Sequence, residues 1–131
     1  GHSDLISGDL PLMLELLHHG VYIQFDLLGT VGTPLDLAPG RDAFEVLLNS
    51  AYVATEAVVI PRLIEAGHAD RLLLSQDVCT KAQLRGYGGN GYAFVQEKFL
   101  PHLRSQGVSE EHIQMIMVDN PRRVLTFVEP A

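Results

Sequence analysis

The sequence predicts an α/β fold with parallel strands, because two apolar runs each end in an aspartate and helical stretches separate them. Leu72–Leu74 is an unbroken leucine run followed shortly by Asp77. Such a run is typical of a strand buried on both faces of a parallel sheet. Val21–Phe25 repeats the pattern before Asp26. Parallel strands bring their carboxyl ends to one edge, where α/β proteins place functional side chains, so this edge is the candidate site.

Asp77 is the first candidate site residue. A buried strand that delivers a carboxylate to this edge favours a metal ligand or a general base. A structural aspartate that caps a helix or a loop has the same sequence signature, so the stretch by itself leaves both interpretations open.

A first helix is predicted before the first strand. Asp9 can cap it and Gly20 ends it, with Leu12, Leu16 and His19 on one face. Two longer helical stretches are predicted further along the chain, one on each side of the leucine run. Their apolar residues recur at helical spacing.

The first of these stretches is residues 41–66, where Pro61 must kink the helix or start a second one. The second is residues 92–106, with a kink at Pro101.

A last helix is predicted to start at the cap Ser109 and to stop before Pro121. Residues 29–40 contain Gly, Thr and Pro at several points, which predicts a long loop on the rim of the sheet, and residues 78–91 form a second long loop that is rich in glycine. The resulting order alternates helices and strands, which implies parallel strands joined by right-handed crossovers.

Composition excludes several classes of protein. The 131 residues suit one small domain, and 47% hydrophobic content is enough for a core. A formal net charge of −7 argues against a nucleic acid or an anionic membrane as partner. Residues 10–25 are too often interrupted by polar side chains to span a bilayer. The single cysteine, Cys79, excludes an internal disulfide and predicts a reducing, cytoplasmic compartment.

Residues 86–91 read Gly-Tyr-Gly-Gly-Asn-Gly and fit the dinucleotide-binding spacing G-x-G-x-x-G. We reject this match because the first glycine lies a whole loop beyond Asp77 instead of directly after the strand. The acid that the fingerprint requires would be Glu110 or Glu111, and these open a helix. The remaining interpretation is a loop whose backbone passes close to a substrate or to another segment.

Cysteine and histidine residues supply few further candidates. Cys79 lies near Lys81, which could activate a thiol. No histidine lies near it along the chain, so a small buried loop thiol is favoured. His18 and His19 diverge by about 100° on a helix and are not expected to share a metal.

His2 differs from the other histidines, because it would lie at a strand end in the same layer as Asp77 if a strand preceded Gly1. A histidine and an aspartate are two ligands of a hydrolytic metal site. They are too few by themselves, since catalytic zinc generally has three protein ligands.

Matching motifs run in order along essentially the whole chain. They lie at residues 1–4, 25–30, 70–81, 87–92 and 120–123. With these motifs the sequence resembles the phosphotriesterase-related group of the amidohydrolase superfamily. The resemblance implies the C-terminal part of a (β/α)8 TIM barrel: the end of strand six, then strands seven and eight with their helices. The N-terminal portion of that single domain is missing from residues 1–131.

The resemblance also implies two divalent metal ions, usually zinc, at the carboxyl ends of the strands. His2 matches the histidine that binds the more exposed metal. Asp77 matches the aspartate that binds the buried metal and, as the catalytic residue, accepts a proton from the bridging hydroxide. The family's H-x-H pair, its carboxylated lysine or glutamate and its strand-five histidine have no counterpart in this chain.

Two positions depart from the efficient phosphotriesterases, in which an acid and a histidine relay protons outward. Leu5 and Leu27 occupy these positions, so the relay is absent. The related lactonases carry an arginine where Leu27 stands. The Tyr-Gly-Gly-Asn-Gly-Tyr sequence of residues 87–92 favours the phosphotriesterase-related branch.

The function implied by the resemblance is that of a metal-dependent hydrolase, active when intact, which attacks an ester, lactone, amide or phosphotriester. No substrate-binding residue is assigned. The alternatives are a phosphotriesterase or lactonase proper, a metal-free binding module built on the barrel, and a nucleotide-binding α/β protein. The expected partners are a small-molecule substrate and a homo-oligomer or complementing chain, because part of a barrel exposes unpaired strand edges.

Overall fold

The computed structural model describes residues 1–29 and 55–127. Helix α1 is Leu10–His18, and α2 spans residues 55–65. Strand β1 is Ile23–Phe25, and β2 is Leu72–Leu74. Two longer helices follow, each containing a π-helical segment. Helix α3 joins the π-helical Val95–Phe99 to Leu100–Ser105, and α4 joins Glu110–Gln114, the π-helical Met115–Asp119 and Asn120–Leu125.

The two strands are parallel neighbours, as the sequence predicted. Ile23 is paired with Leu72 and Phe25 with Leu74. The backbone N–H of Ser75 donates to the Phe25 carbonyl at 2.8 Å, which extends the ladder past the end of β2. An α/β fold with parallel strands is therefore confirmed, although β1 is shorter than the predicted strand.

The expected burial of β2 on both faces is only partly correct. Leu72 is fully buried, whereas Leu73 and Leu74 are half-buried. These two side chains line a groove of about 220 Å³, together with Pro121 and Val124 of α4. The prediction fails on the face that carries Leu73 because, in the described part of the chain, the end of one helix covers that face only in part, whereas Leu74 packs at the margin of the core.

The core lies on the other face of the sheet, where α1, α2, α3 and α4 pack. Its largest buried side chains belong to strands and helices alike, and they are Met13, Ile23, Phe25, Leu28, Ile60, Leu63, Leu72, Phe99, Leu103 and Ile116. None of the helices in the described ranges is both long and apolar enough to cross a bilayer.

Helix α1 turns a different face inward from the one predicted. Met13 and Leu17 are buried, whereas Leu12 is 36% exposed and His19 is exposed. Apolar residues surround this helix on nearly all sides, so periodicity does not select a face and tertiary packing decides it.

Both predicted helix caps are confirmed. The Asp9 side chain accepts from the Leu12 backbone N–H at 3.0 Å, and the Ser109 hydroxyl accepts from the His112 N–H at 3.3 Å. Each bond satisfies one of the unpaired donors of a first helical turn.

Pro121 does not end its helix as predicted, and the kink expected at Pro101 stays a prediction. Helix α4 continues through Pro121 to Leu125. In both long helices a π turn comes just before the proline, with Leu100 N–H donating to the Val95 carbonyl and Asn120 N–H to the Met115 carbonyl. A proline ring normally clashes with the carbonyl four residues earlier, and a wider turn provides room for it.

Asn120 fixes α4 to the amino end of β2. It is fully buried, and its Nδ2 donates to the carbonyls of Ala69 and Leu72, both at 2.8 Å. One side chain thereby satisfies two backbone acceptors at the start of the strand.

Two predictions lie outside the described residues. They are the rim loop over residues 30–40 and the first part of the helical stretch, residues 41–54. Pro61, in the second part, lies inside α2, which runs without a break over residues 55–65.

Candidate functional site

The carboxyl edge of the sheet gathers the acidic side chains that the sequence singled out. Asp26 directly follows β1, and Asp77 lies shortly after the end of β2. Because Phe25 and Leu74 are paired in register, the two aspartates leave the sheet at the same edge. The candidate site is built here.

His2 is held at this edge by Asp26. The His2 backbone N–H lies 3.0 Å from both carboxylate oxygens of Asp26, and its ring Nδ1 lies 2.8 Å from Oδ1. The Asp26 side chain is 9% exposed and the His2 side chain 54% exposed. The buried carboxylate therefore fixes both the backbone and the ring of a largely open histidine.

This contact fits the requirements of a metal ligand. A carboxylate beside Nδ1 keeps the ring proton on that nitrogen and leaves the Nε2 lone pair available. Metal-binding histidines generally donate their other ring N–H to a carboxylate or carbonyl in this way. The His2–Asp26 pair is thus suited to present Nε2 to a cation.

Asp4 holds the end of β1 through two hydrogen bonds. It is 2% exposed, and its two carboxylate oxygens accept from the backbone N–H groups of Asp26 and Leu27 at 3.0 and 3.1 Å. Asp4 therefore holds the segment of backbone that carries the partner of His2.

Glu56 brings a third carboxyl group to this cluster. It is fully buried on α2, and no N–H or O–H donor from the described residues reaches either oxygen. Burial, a hydrogen bond with Asp4 and the charges of Asp4 and Asp26 raise the pKa of Glu56 to about 10. At neutral pH Glu56 is therefore a neutral acid that donates its proton to the Asp4 carboxylate.

Asp77 is half-buried beyond the end of β2. Its backbone carbonyl accepts from Gln83 Nε2 at 3.1 Å. Its carboxylate has no hydrogen-bond partner in the ranges that the structure describes, so it is available to a ligand. No hydrogen bond joins it to His2 within those ranges, and a metal centre shared by the two residues stays a prediction.

The backbone sets these two residues apart. Among the described non-glycine residues, only His2 and Asp77 have a positive φ, of 57° and 44°. The left-handed region is disfavoured for residues with a Cβ, and such conformations cluster at functional sites, where the surrounding structure enforces them. The two predicted metal ligands are the two strained positions.

The chain after Asp77 forms a tight turn around Gln83. Its Oε1 accepts from the backbone N–H groups of Cys79 and Thr80, at 2.9 and 2.7 Å. Cys79 itself is exposed, so the prediction of a buried thiol is wrong: its N–H faces the turn while its side chain faces outward.

The glycine-rich loop packs on the same residue. A Cβ at Gly89 would lie 2.3 Å from the carbonyl carbon of Gln83, and the Gly91 N–H donates to the Gln83 carbonyl at 2.8 Å. The expected close approach of this backbone to a neighbouring segment is confirmed, and Gln83 is that neighbour.

The described residues contain no group of three or more His, Cys, Asp or Glu side chains that could hold a metal. His2 and Asp77 would therefore form only part of a ligand set. Sequence reasoning missed Asp4, Glu56 and Gln83. Of these, Glu56 carried a signal, since an acid at helical spacing from the buried Ile60 and Leu63 must itself face the core.

Comparison with known proteins identifies the family. Residues 1–125 match the model of the phosphotriesterase family. A phosphotriesterase-related protein of Drosophila persimilis is 33% identical over 132 residues, which is 96% of this chain and 34% of the relative. The chain therefore spans about a third of the length of the curated relatives it matches.

Solved structures give the same result. A resiniferatoxin-binding protein from Rhodobacter sphaeroides superposes with a TM-score of 0.77 at 35% identity, over 94% of this chain and 32% of the other. A lactonase from Listeria monocytogenes superposes with a TM-score of 0.70 at 25% identity, over 98% and 36%. These neighbours are TIM-barrel proteins. The chain belongs to the phosphotriesterase family.

Proposed function

We propose that this chain is the C-terminal portion of a (β/α)8 barrel whose intact form is a metal-dependent hydrolase, and that His2 and Asp77 are ligands of its two-metal, zinc-containing centre. The proposal rests on the agreement between the family's ligand positions and an unusual backbone conformation. The two residues that match the family's ligands are also the two described non-glycine residues with left-handed conformations.

The roles of the residues follow from their contacts. A divalent metal, when bound, lowers the pKa of a water molecule and polarises a substrate C=O or P=O. His2 offers Nε2 because Asp26 holds Nδ1. Asp77 offers a carboxylate without a competing donor in the described chain, and it takes the proton as water attacks. Asp4 and Glu56 keep the end of β1 in place.

The same site suggests an acyl substrate. Leu5 and Leu27 occupy the positions of a polar proton relay, and Leu5 is 70% exposed. An apolar wall suits the acyl part of an ester, amide or lactone better than it suits proton transfer. We expect a higher kcat/KM on panels of lactones and N-acyl compounds than on an aryl dialkyl phosphate. A higher value on the phosphate would contradict this assignment.

A binding module without catalysis is the second candidate. It is favoured by the Rhodobacter neighbour, whose name describes a binding protein. Metal content separates the two candidates. We expect the intact protein to retain divalent metal through dialysis and His2→Asn to lose it. His68→Asn is the matched control. Within the described residues, the ring that contacts the His68 ring is that of His18, with the two ring centroids 5.1 Å apart. A metal-free wild type would support the binding module.

The barrel assignment has its own test. Two strands with a partly open face leave edges and apolar side chains that the rest of a barrel would cover. We expect residues 1–131, purified alone, to melt without cooperativity and to lack hydrolase activity. A sharp melt with full metal-dependent turnover would contradict the assignment.

A further inference from the structure

Gln83 makes an unusually complete set of contacts for a loop glutamine. It is 6% exposed. Its Oε1 accepts from the Cys79 N–H, the Thr80 N–H and, at 3.0 Å, the Thr80 hydroxyl. Its Nε2 donates to the Asp77 carbonyl at 3.1 Å. The acceptor end of the amide closes the turn, and the donor end reaches back to Asp77.

The donor end reaches the strained residue. Asp77 has φ 44°, which is disfavoured for a residue with a side chain unless neighbouring contacts enforce it. Within the described residues, the Asp77 carbonyl accepts its hydrogen bond from Gln83 Nε2. Among the described residues, Gln83 is therefore the side chain that holds this carbonyl by a hydrogen bond.

Gln83 is itself firmly held. The backbone of Gly89 lies against it so closely that a Cβ there would come within 2.3 Å of its carbonyl oxygen. The Gly91 N–H binds that same oxygen at 2.8 Å. The glycine-rich loop thus packs against the backbone of Gln83, whose side chain reaches Asp77.

We propose that Gln83 is the positioning residue of Asp77: its amide holds the Asp77 backbone in the left-handed conformation and so directs the carboxylate into the site. This inference rests on the proposed function, in which Asp77 is a metal ligand and proton acceptor. Partners that orient a metal ligand typically change metal affinity 10–100-fold when they are removed.

Gln83→Glu isolates the donor. The substitution keeps an oxygen for the Cys79 and Thr80 N–H groups and replaces the Nε2 donor with a second acceptor facing the Asp77 carbonyl. Gln83→Met removes the donor without adding a charge, so the test remains valid if the buried carboxylate impairs folding. Gln76→Glu is the matched control, because its Nε2 donates to the Tyr92 carbonyl at 2.7 Å and it adds the same charge beside Asp77.

The experiment measures zinc affinity and the Asp77 backbone in the intact protein. We expect Gln83→Glu and Gln83→Met to lower zinc affinity by about 10–100-fold. We also expect crystal structures of both variants to show Asp77 with a negative φ. Gln76→Glu should leave both properties as in wild type. Unchanged affinity and φ in both Gln83 variants, or an equal loss of affinity in Gln76→Glu, would overturn the proposal.

The two readouts also separate this inference from the proposed function. If the wild type binds no zinc, the proposed function fails, and the Asp77 φ in the variants still decides whether Gln83 holds this backbone. If the wild type binds zinc and the variants retain both the affinity and the left-handed φ, only the role of Gln83 is refuted.

Discussion

The two ends of the sheet are built in opposite ways. At the amino end of β2, Asn120 is fully buried and gives both of its N–H donors to backbone carbonyls. At the carboxyl end, Glu56 is equally buried, yet no described donor reaches its oxygens. The left-handed backbones of His2 and Asp77 also lie at this second end. Asn120 Oδ1 and both Glu56 oxygens lack a described donor, so the difference lies in what the buried side chain contacts: Asn120 binds the backbone at the start of β2, whereas Glu56 is a neutral acid beside the Asp4 carboxylate.

This difference indicates that the two ends of the sheet have different roles. Residues at the amino ends of barrel strands mostly stabilise the fold, whereas those at the carboxyl ends present reactive groups. A mutation at the amino end should therefore change stability and leave chemistry alone, and a mutation at the carboxyl end should do the reverse.

Asp77→Asn is the strongest test of this difference between the two ends of the sheet. The amide is nearly isosteric but lacks the charge and basicity of the carboxylate, so we expect kcat to fall 10²–10⁴-fold, about 3–5 kcal/mol, with little change in Tm. Steady-state kinetics and thermal melts on the intact protein measure both. Asp70→Asn, at the amino end beside Arg71, is the control and should keep kcat. A lowered Tm with normal kcat in Asp77→Asn would make Asp77 a structural residue.

Asn120→Asp tests the other end. A carboxylate has no N–H for the Ala69 and Leu72 carbonyls, so we expect a loss of about 2–4 kcal/mol in the free energy of unfolding. Denaturant titration measures it. Asn90→Asp is the matched control, because Asn90 donates one bond, to the Gly29 carbonyl at 2.9 Å, and it should cost less. Equal losses in the two variants would remove the special role of the amino end.

Asp26→Asn should weaken the site without breaking the fold. The amide can still accept from the His2 backbone but no longer holds the ring proton by charge, so we expect a 10–100-fold loss of metal affinity, about 1.4–2.7 kcal/mol. Competition with a chelator measures the affinity. Asp9→Asn is the control, since Asn caps a helix as well as Asp does. Wild-type affinity in Asp26→Asn would show that the Asp26 contact does not tune His2.

Glu56→Gln should change how stability depends on pH. The pKa of Glu56 rises from 4.5 in the unfolded chain to about 10 in the fold. Between these values the folded state keeps a proton that the unfolded state has released, so stability is highest below 4.5 and falls as pH rises towards 10. The slope is at most about 1.4 kcal/mol per pH unit. The glutamine donates to Asp4 at every pH and should flatten this fall.

Chemical denaturation at a series of pH values measures the effect. Glu65→Gln makes the same substitution at an exposed position on α2 and should leave the slope as in wild type. If Glu56→Gln and wild type lose stability in parallel between pH 5 and pH 9, Glu56 is not the group that titrates in this window.

Local signals predicted much of this fold. The strands, their parallel order and the caps at Asp9 and Ser109 depend on short stretches of sequence, and all are confirmed. The family was also predicted from motifs and is confirmed. The buried face of α1 was wrong because a helix apolar on most sides leaves the choice to its neighbours. Pro121 was read as a stop because the wide turn that accommodates it leaves no simple mark in the sequence.

The site was less predictable, since its support is tertiary. His2 and Asp77 were identified through family motifs, and their convergence on one metal centre stays a prediction. Glu56 meets Asp4 only after α2 has packed beside β1, and neither residue signals the other in the sequence. Gln83 belongs to a loop that composition described only as glycine-rich. Such contacts arise from the meeting of distant segments and not from any one of them.

The outward position of Cys79 makes the Asp77 turn observable. It is the single cysteine of these 131 residues, and it is exposed. It lies two residues from Asp77, and its own N–H is tied to Gln83 at 2.9 Å. A fluorophore attached to this thiol would therefore report on the turn directly. Its emission and anisotropy would follow the ordering of Asp77 in solution, as metal or substrate is added, without any assay of turnover.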